Sequence, residues 1–167
     1  MSKPEGKIEE KAMDYFTKIH QLVGKEQIIL SGAVGAVVKD GKILLVQRHN
    51  LSRPWGVPGG VQELGETIQE TAHREVLEEV GLNLQVRDLI GVYSSSQWDI
   101  EIPDGGRIQQ LTLFFLMEGK IDEITIQESE VADWGFFTPE GMPENMMPCC
   151  RQKVLDWASY QGKTIFR

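Results

Sequence analysis

The clearest periodicity in the chain lies between residues 67 and 82. Ile68, Ala72, Val76 and Val80 recur at every fourth position with polar residues between them. That spacing predicts a helix with one apolar stripe. Thr67 stands at its start with Glu70 three residues on, the pattern of a capping box. Gly81 supplies the stop, because glycine adopts the left-handed backbone of a helix end at no steric cost. A second three-to-four spacing, Ile8, Ala12, Phe16, Ile19 and Val23, predicts an amphipathic helix over residues 7–23, ended by Gly24. A third helix is predicted from Cys149 to Tyr160. Pro148 suits its first position, Val154, Leu155 and Ala158 face inward, and Gly162 ends it.

The remaining apolar runs read as strands. Residues 28–38 are rich in Ile, Val, Ala and Gly, and Asp40-Gly41 is a two-residue hairpin signal leading into a return strand from Lys42 to Gln47. Residues 84–95 predict a further strand. Pro103-Asp104-Gly105-Gly106 is a turn between Trp98–Ile102 and Arg107–Met117, which should pair as a hairpin. Within it, Leu111 to Leu116 is nearly continuous in apolar character, as befits a strand covered on both faces. A polar, acidic stretch over residues 121–131 precedes a short aromatic strand from Asp133 to Thr138-Pro139. Strands and helices do not alternate regularly, so these patterns support a mixed sheet with helices packed on it.

Composition narrows the class. A chain of 167 residues suits one domain, and 41% hydrophobic with 25% charged residues is ordinary for a globular protein. A net charge of −8 argues against nucleic-acid binding through a broad basic surface. It leaves room for a small anionic substrate where a bound metal inverts the local field. No apolar run reaches the length of a membrane span, and the first ten residues lack the apolar core of a signal peptide. A cytoplasmic protein is the expectation. Cys149 and Cys150 are the only cysteines and are adjacent, which suggests reduced thiols near a helix start.

The chemistry is concentrated on the first-described helix. Glu75, Glu78 and Glu79 lie three and four apart and gather on one side. Like charges ~4 Å apart repel by roughly 4 kcal/mol at an effective dielectric near 20. Arg74 is four residues from both Glu70 and Glu78, yet one cation does not neutralise the cluster. A further cation should complete it, and Mg²⁺ binds one or two carboxylates together with substrate phosphates. Just upstream, Pro54-Trp-Gly-Val-Pro-Gly-Gly60 is a rigid turn followed by bare backbone, where a carbonyl can serve as a further ligand. Arg48, His49, Asn50 and Arg53 form a polar loop beside it. Its basic side chains either meet substrate phosphate or are solvated.

The stretch resembles the signature of the Nudix hydrolases. Gly60, Glu66, Arg74, Glu75, Val76, Glu78, Glu79, Gly81 and Leu82 fill every fixed position of that pattern, and Trp55 to Gly60 resembles its usual lead-in. The resemblance implies an α/β/α sandwich with a mixed curved sheet over residues 28–167, preceded by a helical extension over residues 1–27. It also implies hydrolysis of a nucleoside diphosphate linked to another group, by water attack on phosphorus. Glu75, Glu78 and Glu79 with the Gly60 carbonyl would hold Mg²⁺, or Mn²⁺ in its place. Arg74 would orient the acids, and Glu66 would fix Arg74 from behind. Glu78 and Glu128 are the candidate general bases, with Glu130 the alternative in the acidic loop. Arg48, Arg53 and Trp98 are candidate substrate contacts, and a homodimer is compatible with the family. His73 reads as a surface histidine, and Tyr93 and Trp98 as core or as stacking platforms. The markers of coenzyme A and NADH pyrophosphatases are absent, and Trp98 stands where ADP-ribose hydrolases often carry proline. A catalytically silent nucleotide-sensing module and a cation-stabilised interaction protein are the alternatives.

Overall fold

A computed structural model describes residues 14–49, 54–102 and 105–167. In chain order the first half comprises α1 (Tyr15–Val23), β1 (Ile28–Ala36), β2 (Val38–Lys39), β3 (Lys42–Arg48), β4 (Trp55–Gly56), β5 (Gly59–Val61) and α2 (Ile68–Val80). The second half comprises β6 (Gln85–Tyr93), β7 (Ile100–Glu101), β8 (Arg107–Glu118), β9 (Val131–Phe137), α3 (Pro148–Ala158) and β10 (Ile165–Phe166).

The central pairing is β1 with β8, parallel from Ile28 opposite Ile108 to Ala36 opposite Leu116. Around it the larger sheet runs β10-β6-β8-β1-β5, with β7 also on β8. β6 is antiparallel to β8, and β5 antiparallel to β1. A smaller antiparallel sheet is built on β3, which pairs with β2, β4 and β9.

Side-chain alternation along the strands divides the core in two. On β3, Leu44 and Val46 join Ala72, Val76 and Val80 of α2, while Ile43 and Leu45 join Cys149, Cys150 and Val154 of α3. On β8, Phe115 and Met117 go to the α2 side, and Phe114 and Leu116 to the α3 side. Helices therefore cover both faces of a mixed sheet, the α/β/α sandwich that the resemblance implies. The near-continuous apolar run of β8 has this cause.

α2 forms as its periodicity predicts. The Thr67 hydroxyl accepts from the Glu70 amide at 3.3 Å, and the Glu70 carboxylate accepts from the Thr67 amide at 2.7 Å. Gly81 closes the helix with φ 72° and donates to the Leu77 carbonyl. The Asp40-Gly41 turn has φ of 50° and 73°, the primed geometry that suits a hairpin.

Several expectations change. α1 spans Tyr15–Val23, and Asp14 before it is extended, its carboxylate accepting from the Thr17 amide at 2.8 Å as an N-cap, while the predicted residues 7–13 lie outside the described residues. Ile8 and Ala12 lie outside the described residues. The hairpin onto β8 is reduced to Ile100–Glu101, since Trp98 belongs to a 3-10 turn over Ser96–Trp98. Pro103 and Asp104 of its turn are outside the described residues. β9 begins two residues early, at Val131. β10 is too short for any periodicity to reveal, and it pairs with Gly91 and Val92.

The largest correction concerns α3. Leu155 and Ala158 face solvent, and the buried positions are Cys149, Cys150, Lys153, Val154 and Asp156. The stripe holds the regular three-to-four spacing, but two of its members are charged, Asp156 fully engaged and Lys153 only partly so. Asp156 accepts from the Tyr93 hydroxyl at 2.7 Å, from Arg167 at 2.7 Å and from Gln152 at 2.9 Å. Lys153 lies 4.4 Å from the centroid of the Tyr93 ring.

Burial pushes the Asp156 carboxyl up, but the bonds from Arg167, Tyr93 and Gln152 together hold it below the ordinary carboxylate range. A depressed carboxylate stabilises the fold above its unfolded pKa, and that contribution is lost as pH falls through the folded value. Asp156→Asn is expected to lose about 2 kcal/mol at neutral pH. In urea unfolding at a series of pH values, its gap to the wild type should narrow below about pH 3.9. A gap independent of pH would show that the ion pair is not its source.

Candidate active site

The site begins with two glycines that play different parts. Gly59 has φ 149°, and a side chain there would meet the Ala33 carbonyl at 2.3 Å and the Val34 α-carbon at 2.5 Å. Gly60 faces the opposite way. A β-carbon on it would fall 2.5 Å from Glu75 Oε1 and 2.7 Å from Oε2. The pair therefore lays bare backbone between β1 and the acidic side of α2, which no other residue type permits so closely.

Glu79 projects from α2 into this junction, and its side chain is 1% exposed. It accepts from the Gly59 amide at 3.0 Å and from Nη1 of Arg48. The other terminal nitrogen of Arg48 donates to the Gly59 carbonyl at 2.8 Å. One guanidinium thus bridges a buried carboxylate and a backbone carbonyl. Burial pushes the Glu79 carboxyl up, Arg48 and the Gly59 amide oppose that, and Glu130 adds to the rise.

Arg74 organises the other acids. Its Nε donates to Glu66 Oε1 at 2.5 Å, and one terminal nitrogen donates to Glu66 Oε2 and the Val61 carbonyl, each at 3.1 Å. The other donates to Glu75 at 2.7 Å and Glu78 at 3.2 Å. Glu66 also accepts from the Glu63 amide at 3.0 Å and the Thr71 hydroxyl at 2.9 Å. The Arg74 bond is the main reason its carboxyl lies below the ordinary range. Glu75 goes the other way, pushed up to about 7 by burial, with Arg74 opposing and the charges of Glu79 and Glu78 adding to the rise. Glu70 belongs to the capping box and does not pair with Arg74.

Two adjoining cavities open here. One, of about 840 Å³, is walled by Arg48, Gly59, Gly60, Arg74, Glu75, Glu78 and Glu79, with Gln127 and Glu130 from the acidic loop and Tyr15 and Phe16 from α1. The other, of about 330 Å³, shares Arg48, Gly59, Gly60, Val61 and Phe16 and is otherwise mainly apolar. The two cavities therefore meet at Arg48 and the glycines.

Of the sequence-predicted residues, Gly60, Glu66, Arg74, Glu75, Glu78, Glu79 and Arg48 come together. Glu128 is exposed and lines neither cavity, whereas Glu130 lines the larger one. Trp98 lines neither and packs against the α3-side core, its indole nitrogen without a hydrogen-bond partner among the described residues. Tyr93 is core, bonded to Asp156. The His73 ring nitrogen meets the Leu84 carbonyl at 2.6 Å. Arg53 lies outside the described residues. Sequence reasoning named Gly59 only as half of the glycine pair and chose the Gly60 carbonyl, and it passed over Gln127, Lys153 and, as a site residue, Phe16. For Gly59 the doubled glycine was the available signal. For Lys153 it was a charged residue on the stripe of α3.

Whether a metal suits the site can be judged from its donors. Among the described residues, no three His, Cys, Asp or Glu side chains converge on one point. The arginines account for this: Arg48 engages Glu79, and Arg74 engages Glu75 and Glu78. The donor set is nonetheless all oxygen, three carboxylates and the Gly59 carbonyl, which is the chemistry of a hard divalent ion. The carbonyl beside Glu79 is that of Gly59. The Gly60 carbonyl points toward Gly32, where an added β-carbon would lie 2.5 Å from it.

No helix among the described residues is long and apolar enough to cross a membrane. The chain matches the NUDIX domain family over residues 30–158. An ADP-ribose pyrophosphatase of Methanocaldococcus jannaschii is 46% identical over 67 residues, 39% of this chain and 40% of that protein's length. A MutT-like protein of Streptomyces ambofaciens is 33% identical over 129 residues, 73% of this chain and 72% of that one. Among solved structures, a MutT NUDIX hydrolase of Burkholderia pseudomallei superposes with a TM-score of 0.66 at 23% identity, covering 77% of this chain and 98% of its own. At that identity the likeness concerns the fold alone. The family match over most of the chain, together with the intact signature gathered around Gly59 and Glu79, makes this protein a member of the Nudix hydrolase family.

Proposed function

We propose that the chain is a Mg²⁺-dependent pyrophosphohydrolase, with Mn²⁺ as an alternative metal, cleaving a nucleoside diphosphate linked to another group. The observation that carries this reading is the buried Glu79 carboxylate set between the Gly59 backbone and a cationic side chain, with Glu75 and Glu78 beside it. Its position beside a 330 Å³ apolar cavity supports a substrate with an anionic and a less polar part. The archaeal relative's name, an ADP-ribose pyrophosphatase, is in keeping with this class.

Glu75, Glu78 and Glu79 would hold the metal, with the Gly59 carbonyl as the nearest backbone oxygen. A bound divalent ion draws charge from the two phosphates and makes water more acidic. The remaining work belongs to the chain. Arg74 orients Glu75 and Glu78, and Glu66 fixes Arg74 through its paired bonds. Arg48 stands where the two cavities meet and faces the phosphates there. Glu78 has a side chain 52% exposed at the cavity wall and a single 3.2 Å bond from Arg74, which leaves an oxygen to take a proton from water. Glu130 is the second candidate for that role, since it faces the same space and Glu128 does not.

A hydrolysis screen over nucleotide sugars, dinucleoside polyphosphates, dinucleotide cofactors and triphosphates should find a cleaved compound, with turnover abolished by EDTA. Glu79→Gln should lower kcat by more than about a hundredfold, because outer-shell partners alone cost ten- to a hundredfold. Full activity in EDTA would overturn the reading.

The two glycines should behave differently. Gly60→Ala pushes the carboxylate of Glu75 rather than backbone, so it is expected to cost activity while leaving the melting temperature within a few degrees. Gly59→Ala collides with the backbone of β1 at a positive φ and should lower stability itself, by about 1–3 kcal/mol or more. Equal melting temperatures for the two variants would contradict these separate roles.

A further inference from the structure

The smaller cavity contains a charge that hydrolysis does not use. Lys153 lines it from α3 and is 2% exposed. An ammonium carries three N–H donors and no acceptor. Among the described residues its Nζ has one hydrogen-bond acceptor, the Cys149 carbonyl at 3.5 Å, which is long for such a bond. It also lies against the face of the Tyr93 ring and near the Cys149 and Cys150 thiols, which are weak acceptors. Asp156, three residues on, is engaged by Tyr93, Arg167 and Gln152. Buried charges are ordinarily paired or fully hydrogen-bonded, and among the described residues this one has a single long hydrogen bond and no carboxylate partner.

The surroundings favour an acceptor. α3 begins beside the same cavity, and Met147 at its N-cap provides no side-chain cap, so its first turn offers partial positive charge. The walls nearby are apolar, Val34, Val57 and Ile108 among them, with Gln110 the adaptable polar group. A volume of about 330 Å³ is at the small end for ligand sites and suits one nucleoside-sized group. The shared wall at Arg48, Gly59 and Gly60 joins this space to the acidic cleft.

Resting on the hydrolytic reading above, we propose that Lys153 determines specificity by donating to a carbonyl oxygen on a flat ring held in this cavity. Nucleoside diphosphate derivatives with oxo-bearing bases, such as uracil, are then preferred over those presenting an amino group, such as cytosine. Facing an amino group, the ammonium meets another donor and both stay unpaired. Polar groups built to bond a substrate discriminate more sharply than apolar contact does.

The test compares UDP- with CDP-linked and GDP- with ADP-linked derivatives of one sugar, in wild type, Lys153→Met and Lys153→Arg. Calorimetric binding of UDP and CDP is measured in parallel. The wild type should favour the oxo member of each pair about tenfold or more in kcat/KM, mainly through KM, with the same order in binding. Lys153→Met should bring the ratio to within about twofold, and Lys153→Arg should retain most of it. A wild type without base preference overturns the proposal, as does an unchanged ratio in Lys153→Met. A binding preference lost in Lys153→Met but without turnover in any protein supports the Lys153 assignment and overturns the hydrolytic reading instead. If Lys153→Met does not fold, the wild-type ratio and Lys153→Arg decide.

Discussion

Glu79 has a carboxylate almost wholly removed from solvent, and an isolated buried anion is costly enough that the surrounding chain has to answer it. The answer comes from two places remote in sequence. Gly59 supplies an amide from the larger sheet, and Arg48 supplies a guanidinium from the smaller one. The same guanidinium returns to the Gly59 carbonyl, so three elements are tied at one point. Gly59 keeps this arrangement in place because its positive φ and its contact with β1 leave no room for a side chain.

The second arginine does complementary work on the same helix. Arg74 holds Glu75 and Glu78 on one side while Glu66 and the Val61 carbonyl hold Arg74. Four acids are thus shared between two cations, and the proposed metal would draw carboxylates together that the two arginines now hold apart. Glu75 carries the clearest mark of the arrangement. It is buried beside two like charges, and its proton affinity rises although Arg74 touches it.

On the opposite face of the sheet, α3 solves a related problem with less symmetry. Asp156 is fully engaged by Tyr93, Arg167 and Gln152, which joins α3, β6 and the C-terminal residue. Lys153 sits against the ring of that same Tyr93 and faces a cavity. A satisfied buried acid and an under-satisfied buried base thus lie three residues apart on one helix, and the base borders the proposed recognition cavity. Phe16 of α1 borders both cavities, so a helix outside the family match helps to shape the site.

What the chain determines by itself is everything written within one or two turns of backbone. α2, its capping box, its Gly81 stop and the gathering of Glu75, Glu78 and Glu79 follow from the period of the helix, and Asp40-Gly41 follows from positive φ. The burial of β8 on both faces is likewise legible in its nearly continuous apolar run. Only the tertiary structure decided which backbone carbonyl stands beside Glu79, because a shift of one residue along an extended strand turns the carbonyl to the other side. It also decided that Glu130 rather than Glu128 faces the cleft, and that Arg48 reaches Glu79 across 31 positions. α3 buries a face other than its apolar spacing indicates for a related reason: a charged residue can join a buried stripe only through partners that other strands bring to it. Local spacing records the interactions a segment makes with itself, while burial of charge depends on what the rest of the fold carries to it.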